Sequence, residues 1–185
     1  MTLLKTPVCD FGKKAESFEL KSINNELISL NDVKGEKATL IMFVSNHCPY
    51  VKAIIKDLTK DCEHLKKEGI NSVAIMSNDV ENYPEDSFKN MISFAKSNNF
   101  GDLNYLVDET QEIAKKFGAV CTPDFFGYNK ALELQYRGRF KELKDLKPLD
   151  NNDSDLKLAM KKIAKNQKGP EVQIPSMGCS IKWFN

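Results

Sequence analysis

Apolar positions in this chain follow two spacings, and each switch between them marks an element. Residues 38–44 form a continuous β-leaning run, apolar but for Thr39, that ends in the polar loop Ser45-Asn46-His47. That is the pattern of a parallel strand buried on both faces. From 49 to 67 the apolar residues Val51, Ile54, Ile55, Leu58, Cys62 and Leu65 recur at helical spacing, and Gly69 supplies the stop. Residues 70–76 read as a second buried strand. The polar loop 77–86 leads to a helix over 87–97, with Phe88, Met91, Ile92 and Ala95 inward. Short strands are predicted at 18–20 and 27–30 around Asn24-Asn25, and at 103–107. Asp108-Glu109-Thr110-Gln111 resembles a capping box that starts a helix ending before Gly118. Residues 125–128 and 132–137 read as a hairpin around Asn129-Lys130. The last helix spans 153–165, with Leu156, Ala159, Met160 and Ile163 on one side.

Parallel strands need helical crossovers, whereas antiparallel ones can use tight turns. This order of elements therefore predicts an α/β fold, a mixed sheet with helices on both faces. One domain is expected over 1–168. Gly169-Pro170 opens a tail, 169–185, too short and irregular for a domain of its own.

Composition narrows the partners. The 185 residues carry 41% hydrophobic and 29% charged side chains, within globular norms, with a net charge of +1. That balance argues against nucleic acid or an anionic membrane as the main partner. The first residues lack the apolar stretch of a signal peptide, and no run is long enough to span a bilayer, so the expected compartment is cytoplasmic. Stable structural disulfides are uncommon there. The five cysteines, Cys9, Cys48, Cys62, Cys121 and Cys179, contain no CxxC pair, and only His47 and His64 are available beside them. A structural zinc site is not expected, nor any cofactor; cysteine here points to reactivity. Two of the 27 basic residues are arginine, Arg137 and Arg139, both within Tyr136-Arg137-Gly138-Arg139. Either the planar guanidinium is needed there, or the pair is chance at a strand end.

Cys48 carries most of the chemical argument. It stands where the apolar strand gives way to the helix, with Pro49 at the first helical position, where a missing N–H costs nothing. Unpaired N–H groups and the helix dipole favour negative charge at that end, and the thiolate is the nucleophile. Lys52 lies one turn along and adds positive potential. His47 can donate to the thiolate or shuttle a proton; the plainer alternative is a solvent-facing rim residue. Cys62 sits on the apolar stripe and reads as core. Cys9 has no assigned role.

A second element is Thr122-Pro123. Proline is excluded from central strand interiors, so Pro123 belongs at a strand start or in a turn. A strand leading to a Cys-Pro helix start, with a later Thr-Pro before a hairpin, resembles the thioredoxin superfamily. The segments NHCPYVKAI, DETQEIAKKFGAVCTPDFF, YRGR and PSMGCSIKW closely resemble the bacterial peroxiredoxin-like redoxins, the AhpC/TSA-like group, over nearly the whole chain. The resemblance implies a thioredoxin-like fold with a glutaredoxin-type core, an N-terminal strand extension and a C-terminal tail. It also implies Cys48 as the reactive thiol and Pro123 as a cis-proline facing it.

The departures are as informative. Val51 stands where the second cysteine of a thioredoxin CxxC would fall. Ser45 stands where the subfamily often has a cysteine, and it can fill the threonine place of the peroxiredoxin motif. Ile41 occupies that motif's proline place, and no activating arginine is evident unless Arg137 or Arg139 substitutes across the hairpin. Cys48 must therefore be resolved by a thiol elsewhere in the chain, by glutathione or by another protein. Cys121 is expected to be the closer candidate, at the rim beside Pro123. Cys179 is the other, on a tail that can swing and that Trp183 and Ile181 can dock. The expected activity is that of a thiol-disulfide oxidoreductase or peroxiredoxin-like antioxidant protein. Its substrate would be a disulfide or peroxide, and its reductant an external thiol system, thioredoxin or glutathione. Two alternatives stand beside it. One is a redox-sensing or protein-binding module without turnover; the other is a soft-metal module in which His47, Cys48 and Cys121 hold copper.

Overall fold

The computed structural model describes residues 2–149 and 152–184; Met1 and Asn185, which end the expected domain and tail, lie outside the described residues. The strands are β1 (Leu3–Lys5), β2 (Glu19–Ser22), β3 (Leu27–Ser29), β4 (Ala38–Phe43), β5 (Ile70–Met76), β6 (Asn104–Val107), β7 (Cys121–Thr122), β8 (Asp124–Asn129), β9 (Leu134–Tyr136), β10 (Leu143–Lys144), β11 (Lys147–Pro148) and β12 (Met177–Ser180). The helices are α1 (Leu30–Val33), α2 (Pro49–Lys67), α3 (Phe88–Ser97), α4 (Glu112–Phe117) and α5 (Asp155–Asn166), with a 3-10 turn at Pro84–Asp86.

Seven strands form the main sheet in the order β3-β2-β6-β5-β4-β8-β9. β4, β5 and β6 are parallel neighbours, and β8 runs antiparallel to β4 with Phe43 opposite Asp124. The sheet is mixed, as the element order predicts. Alternation along β4 feeds two cores. Leu40 and Met42 pack under α2, α3 and α5, while Ile41 and Phe43 meet Phe117 of α4 and Phe126 of β8 on the other face. Rings of Phe43, Phe117 and Phe126 lie 5.7–5.8 Å apart in tilted or edge-on pairs, an arrangement aromatic quadrupoles favour. Gly127 is needed where α5 crosses β8, because a Cβ there would press on Met160 Sδ and Tyr136 Cβ. Among the described residues, no helix is long and apolar enough to cross a membrane.

Three expectations are corrected. The capping box at 108–111 does not form: Gln111 takes a left-handed φ of 62°. Asp108 caps α4 from further back, accepting the N–H groups of Ile113 and Ala114. Pro84–Asp86 adds a turn of 3-10 helix where a loop was expected. The largest correction concerns the tail, which is no swinging arm. β12 lies between β1 and β7 in a three-stranded antiparallel sheet, with Cys179 opposite Thr122 and Ser180 opposite Cys121. Unpaired edges of two short strands, β1 and β7, are satisfied by the one inserted between them. Gly178 permits the approach, since a Cβ there would collide with the Thr122 carbonyl.

Candidate active site

β4, β5 and β6 end at the same edge of the sheet, and the loops that follow them build the site. The carboxyl ends of parallel strands are the usual place for such a crevice. Ser45, Asn46 and His47 leave β4. Cys48 is then the N-cap of α2, with φ −65° and ψ 121°, and Pro49 takes the first helical turn. Cys48 is wholly buried. Its Sγ lies 3.0 Å from the Thr122 carbonyl oxygen and 2.9 Å from Cys179 Sγ. The Thr122–Pro123 bond is cis.

The order of the two candidate partners is therefore reversed. Cys179, not Cys121, is in contact with Cys48. Cys121 is buried rather than at the rim, and its Sγ points to the Pro123 carbonyl at 3.7 Å. The cause is strand pairing: β12 carries Cys179 directly opposite Thr122, whose carbonyl faces Cys48. Burial pushes the Cys179 thiol up to about 12, and Cys48 beside it, by hydrogen bond and by charge, pushes the same way. Cys179 is thus protonated at neutral pH. Burial also raises Cys121, with the Asp124 carboxylate second. Cys62 belongs to the core under α2, as expected, and burial holds it up at about 12. Cys9 is half-buried and raised to about 11, first by burial.

His47 bonds to a carboxylate rather than to the Cys48 thiol, and its side chain is largely covered rather than facing solvent. Its Nδ1 is 2.8 Å from Asp86 Oδ2, and its ring stacks on Tyr83 at 5.5 Å and 8°. The Nδ1–H is thereby fixed toward the carboxylate, which leaves Nε2 as the other ring nitrogen. Asp86, wholly buried, also accepts the Asn46 N–H at 2.6 Å, the Ser45 hydroxyl at 3.0 Å and Asn78 Nδ2 at 2.7 Å. Burial alone would raise Asp86; hydrogen bonds from His47, Asn78 and Ser45, with the His47 charge, outweigh it and hold the carboxyl below its ordinary value. Asn46 is fixed further by the Tyr105 hydroxyl, which donates to its Oδ1 at 2.8 Å. Lys52 is exposed one turn into α2, on a shallow surface shared with Asn46 and His47.

Neither arginine substitutes at Cys48. Arg137 is buried on the opposite face, bonded to Asp124 at 2.9 Å and to the Gly118 carbonyl at 2.7 Å, over the Phe126 ring. Arg139 pairs with Asp155 at 2.6 Å and Glu142 at 3.1 Å. The guanidinium of Arg137 serves a buried ion pair and that of Arg139 two pairs at the surface. Among the described residues, no three His, Cys, Asp or Glu side chains are grouped to hold a metal ion. His47, Cys48 and Cys121 are not brought together as such a set. Beside Pro123 a groove of about 490 Å³ runs past Tyr50, Ile54, Phe140, Ile174 and Met177.

Asp86 and Asn78 do not stand out in the sequence, and Gln111 does so only as part of a helix cap. The available signal was positional: a polar loop after a strand parallel to β4 must end beside the start of α2.

A model of the AhpC/TSA family matches residues 11–140. An uncharacterized conserved protein of Geobacillus kaustophilus has a solved structure similar to this one, with a TM-score of 0.89 at 38% identity, covering 100% of this chain and 97% of that one. A hypothetical protein of Sinorhizobium meliloti 1021 gives a TM-score of 0.88 at 34% identity, covering 97% of each chain. The thioredoxin domain of a thiol-disulfide oxidoreductase from Bacteroides vulgatus shares the fold, with a TM-score of 0.58 at 15% identity over 69% of this chain and 86% of that domain. No curated protein matches the chain. With the family's model spanning most of the sequence and the sheet, helices and cis-proline in place around Cys48, this chain belongs to the AhpC/TSA family and has a thioredoxin-like fold.

Proposed function

We propose that the protein is a thiol oxidoreductase in which Cys48 attacks and Cys179 resolves. The observation that carries this reading is the 2.9 Å separation of the two sulfurs. That is about 0.9 Å longer than a disulfide bond, so bond formation needs little movement. With a hydroperoxide, the Cys48 thiolate takes the distal oxygen. The O–O bond breaks, an alcohol or water leaves with one added proton, and Cys48 becomes a sulfenic acid. Cys179 then forms the S–S bond, and the sulfenic oxygen leaves as water with the Cys179 proton. With a disulfide substrate, the first product is a mixed disulfide and Cys179 expels the second thiol. Two electrons from an external dithiol, or from two glutathione thiols, restore both cysteines. The cytosol supplies such reductants and is the compartment that suits this cycle. Membership of the AhpC/TSA family supports thiol redox chemistry in general.

The test is turnover of hydrogen peroxide and of a small disulfide, each with the thioredoxin and the glutathione systems. Activity should fall to background in Cys48→Ser and persist in Cys121→Ser. Cys179→Ser should accumulate Cys48 as a sulfenic acid or glutathione adduct. Peptide mapping after mild oxidation should find Cys48 linked to Cys179. If Cys48 is found oxidised while Cys179 stays free in the wild type, a one-cysteine mechanism replaces this one. Complete burial of Cys48 favours a second reading, a redox sensor without turnover. That reading holds if the Cys48–Cys179 link forms stoichiometrically and no substrate is turned over.

A further inference from the structure

One buried amide joins the loop around Cys48 to the strand that carries Cys179. Asn78 follows β5 and is only 5% exposed. Its Nδ2 donates to Asp86 Oδ2 at 2.7 Å, and its Oδ1 accepts the Lys182 N–H at 2.8 Å. The Lys182 carbonyl in turn accepts the Asp79 N–H at 2.8 Å and Gln111 Nε2 at 2.7 Å. Gln111 Oε1 accepts the Phe184 N–H at 2.8 Å. The residues that follow β12 are thus pinned to the loops after β5 and β6. The same amide that holds them also holds the carboxylate to which Ser45, Asn46 and His47 are bonded.

An amide with both ends committed cannot turn over without losing both bonds. With Lys182 docked, the Asn78 carbonyl is occupied and its N–H is aimed at Asp86. With Lys182 released, nothing in this set holds the amide to that orientation, and Asp86 loses a fixed donor. We infer that Asn78 is a positioning residue that couples docking of the β12 strand to the Asp86 hydrogen bonds, and through them to His47 and the start of α2. A site without its docked Cys179 strand would then have a differently held Cys48 loop. The inference rests on the assignment of Cys48 and Cys179 as the redox pair. Titratable groups facing Cys48 include Cys179 from β12 and Cys121 from β7, with the His47–Asp86 pair on the adjoining loops and Lys182 lying over Tyr83. All of them are retained in the variants below.

The test is a double-substitution cycle in the full chain. Gln111→Gly removes the tail's second anchor without touching Asp86, and glycine suits the left-handed backbone there. The readouts are the pH profile of Cys48 alkylation, followed by peptide mass, and proteolysis of the tail under native conditions. Tail cleavage should rise at least about fivefold in Asn78→Ala and in Gln111→Gly, the lower end of ordinary coupling between sites. The alkylation profile should shift in the same direction in both. In the double variant, Gln111→Gly should add nothing further to the shift already produced by Asn78→Ala. The inference is overturned if Gln111→Gly loosens the tail and leaves the profile where it was. Full additivity of the two shifts, or a tail in Asn78→Ala as resistant as in the wild type, overturns it equally. Asn78→Ser replaces Asn78→Ala if the latter does not fold. Neither readout needs turnover, so a missing oxidoreductase activity would sink the redox-pair reading alone.

Discussion

A carboxylate removed from water stays ionised only if its oxygens are bonded, and Asp86 accepts from Ser45, Asn46, His47 and Asn78. Because its folded pKa lies below the ordinary 3.8, its contribution to stability is complete above that value and is lost as pH falls through the folded one. Asp86→Asn should therefore cost about 1–3 kcal/mol at neutral pH. The gap to wild type should narrow as pH falls from the ordinary 3.8, where the unfolded chain takes up the proton, through the lower folded value. Urea unfolding at both pH values measures it, and a gap independent of pH would refute the argument. Arg137 offers a contrast. Burial raises its partner Asp124 against the pull of the guanidinium, so removing the cation leaves an uncompensated buried acid. Arg137→Leu should cost about 3–5 kcal/mol, and the paired change Arg137→Leu with Asp124→Leu much less. The rate of Cys48 alkylation should not change in either, since Arg137 packs over Phe126 on the far face. At this scale the sequence made Cys48 and Pro123 legible, because a Cys-Pro helix start and a Thr-Pro strand start are local patterns. Asp86 was not legible: its burial comes from the crossing of two loops 39 residues apart in sequence.

Elements buried on both faces announce themselves, as β4 and β5 do, since Leu40–Phe43 and Val73–Met76 are consecutive apolar residues. β12 is four residues long, half of them small, and pairs with two strands far away in sequence. No local periodicity encodes such a strand, which is why Cys179 was expected on a loose tail. Its placement depends on Gly178. Gly178→Ala should push β12 off Thr122 and destabilise the fold by about 1–3 kcal/mol. Formation of the Cys48–Cys179 bond should slow on the order of 100-fold, the usual penalty for about 1 Å of misplacement at a reacting centre. Stopped-flow oxidation followed by thiol counting measures the rate. An unchanged rate would show that the strand's close approach is not what brings the sulfurs together.

For the molecule as a whole, a Cys48–Cys179 bond would close a loop across a separation of 131 residues. Closing a loop of that size restricts the unfolded chain and stabilises the native state by about 2–5 kcal/mol. The urea midpoint should rise on mild oxidation in the wild type and in Cys121→Ser, but not in Cys179→Ser. No rise in the wild type would mean that the oxidised form is strained or that this bond is not the one made. The same separation has a consequence during biosynthesis. At about 5–20 residues per second, the ribosome needs on the order of 10 s to pass from codon 48 to codon 179. For that interval Cys48, the attacking thiol of the proposed cycle, can already stand at the head of its helix while the strand that covers it has not been made. On that proposal, each newborn copy passes through a period in which a foreign thiol or an oxidant would meet Cys48 alone. Its proposed partner, Cys179, arrives only with β12.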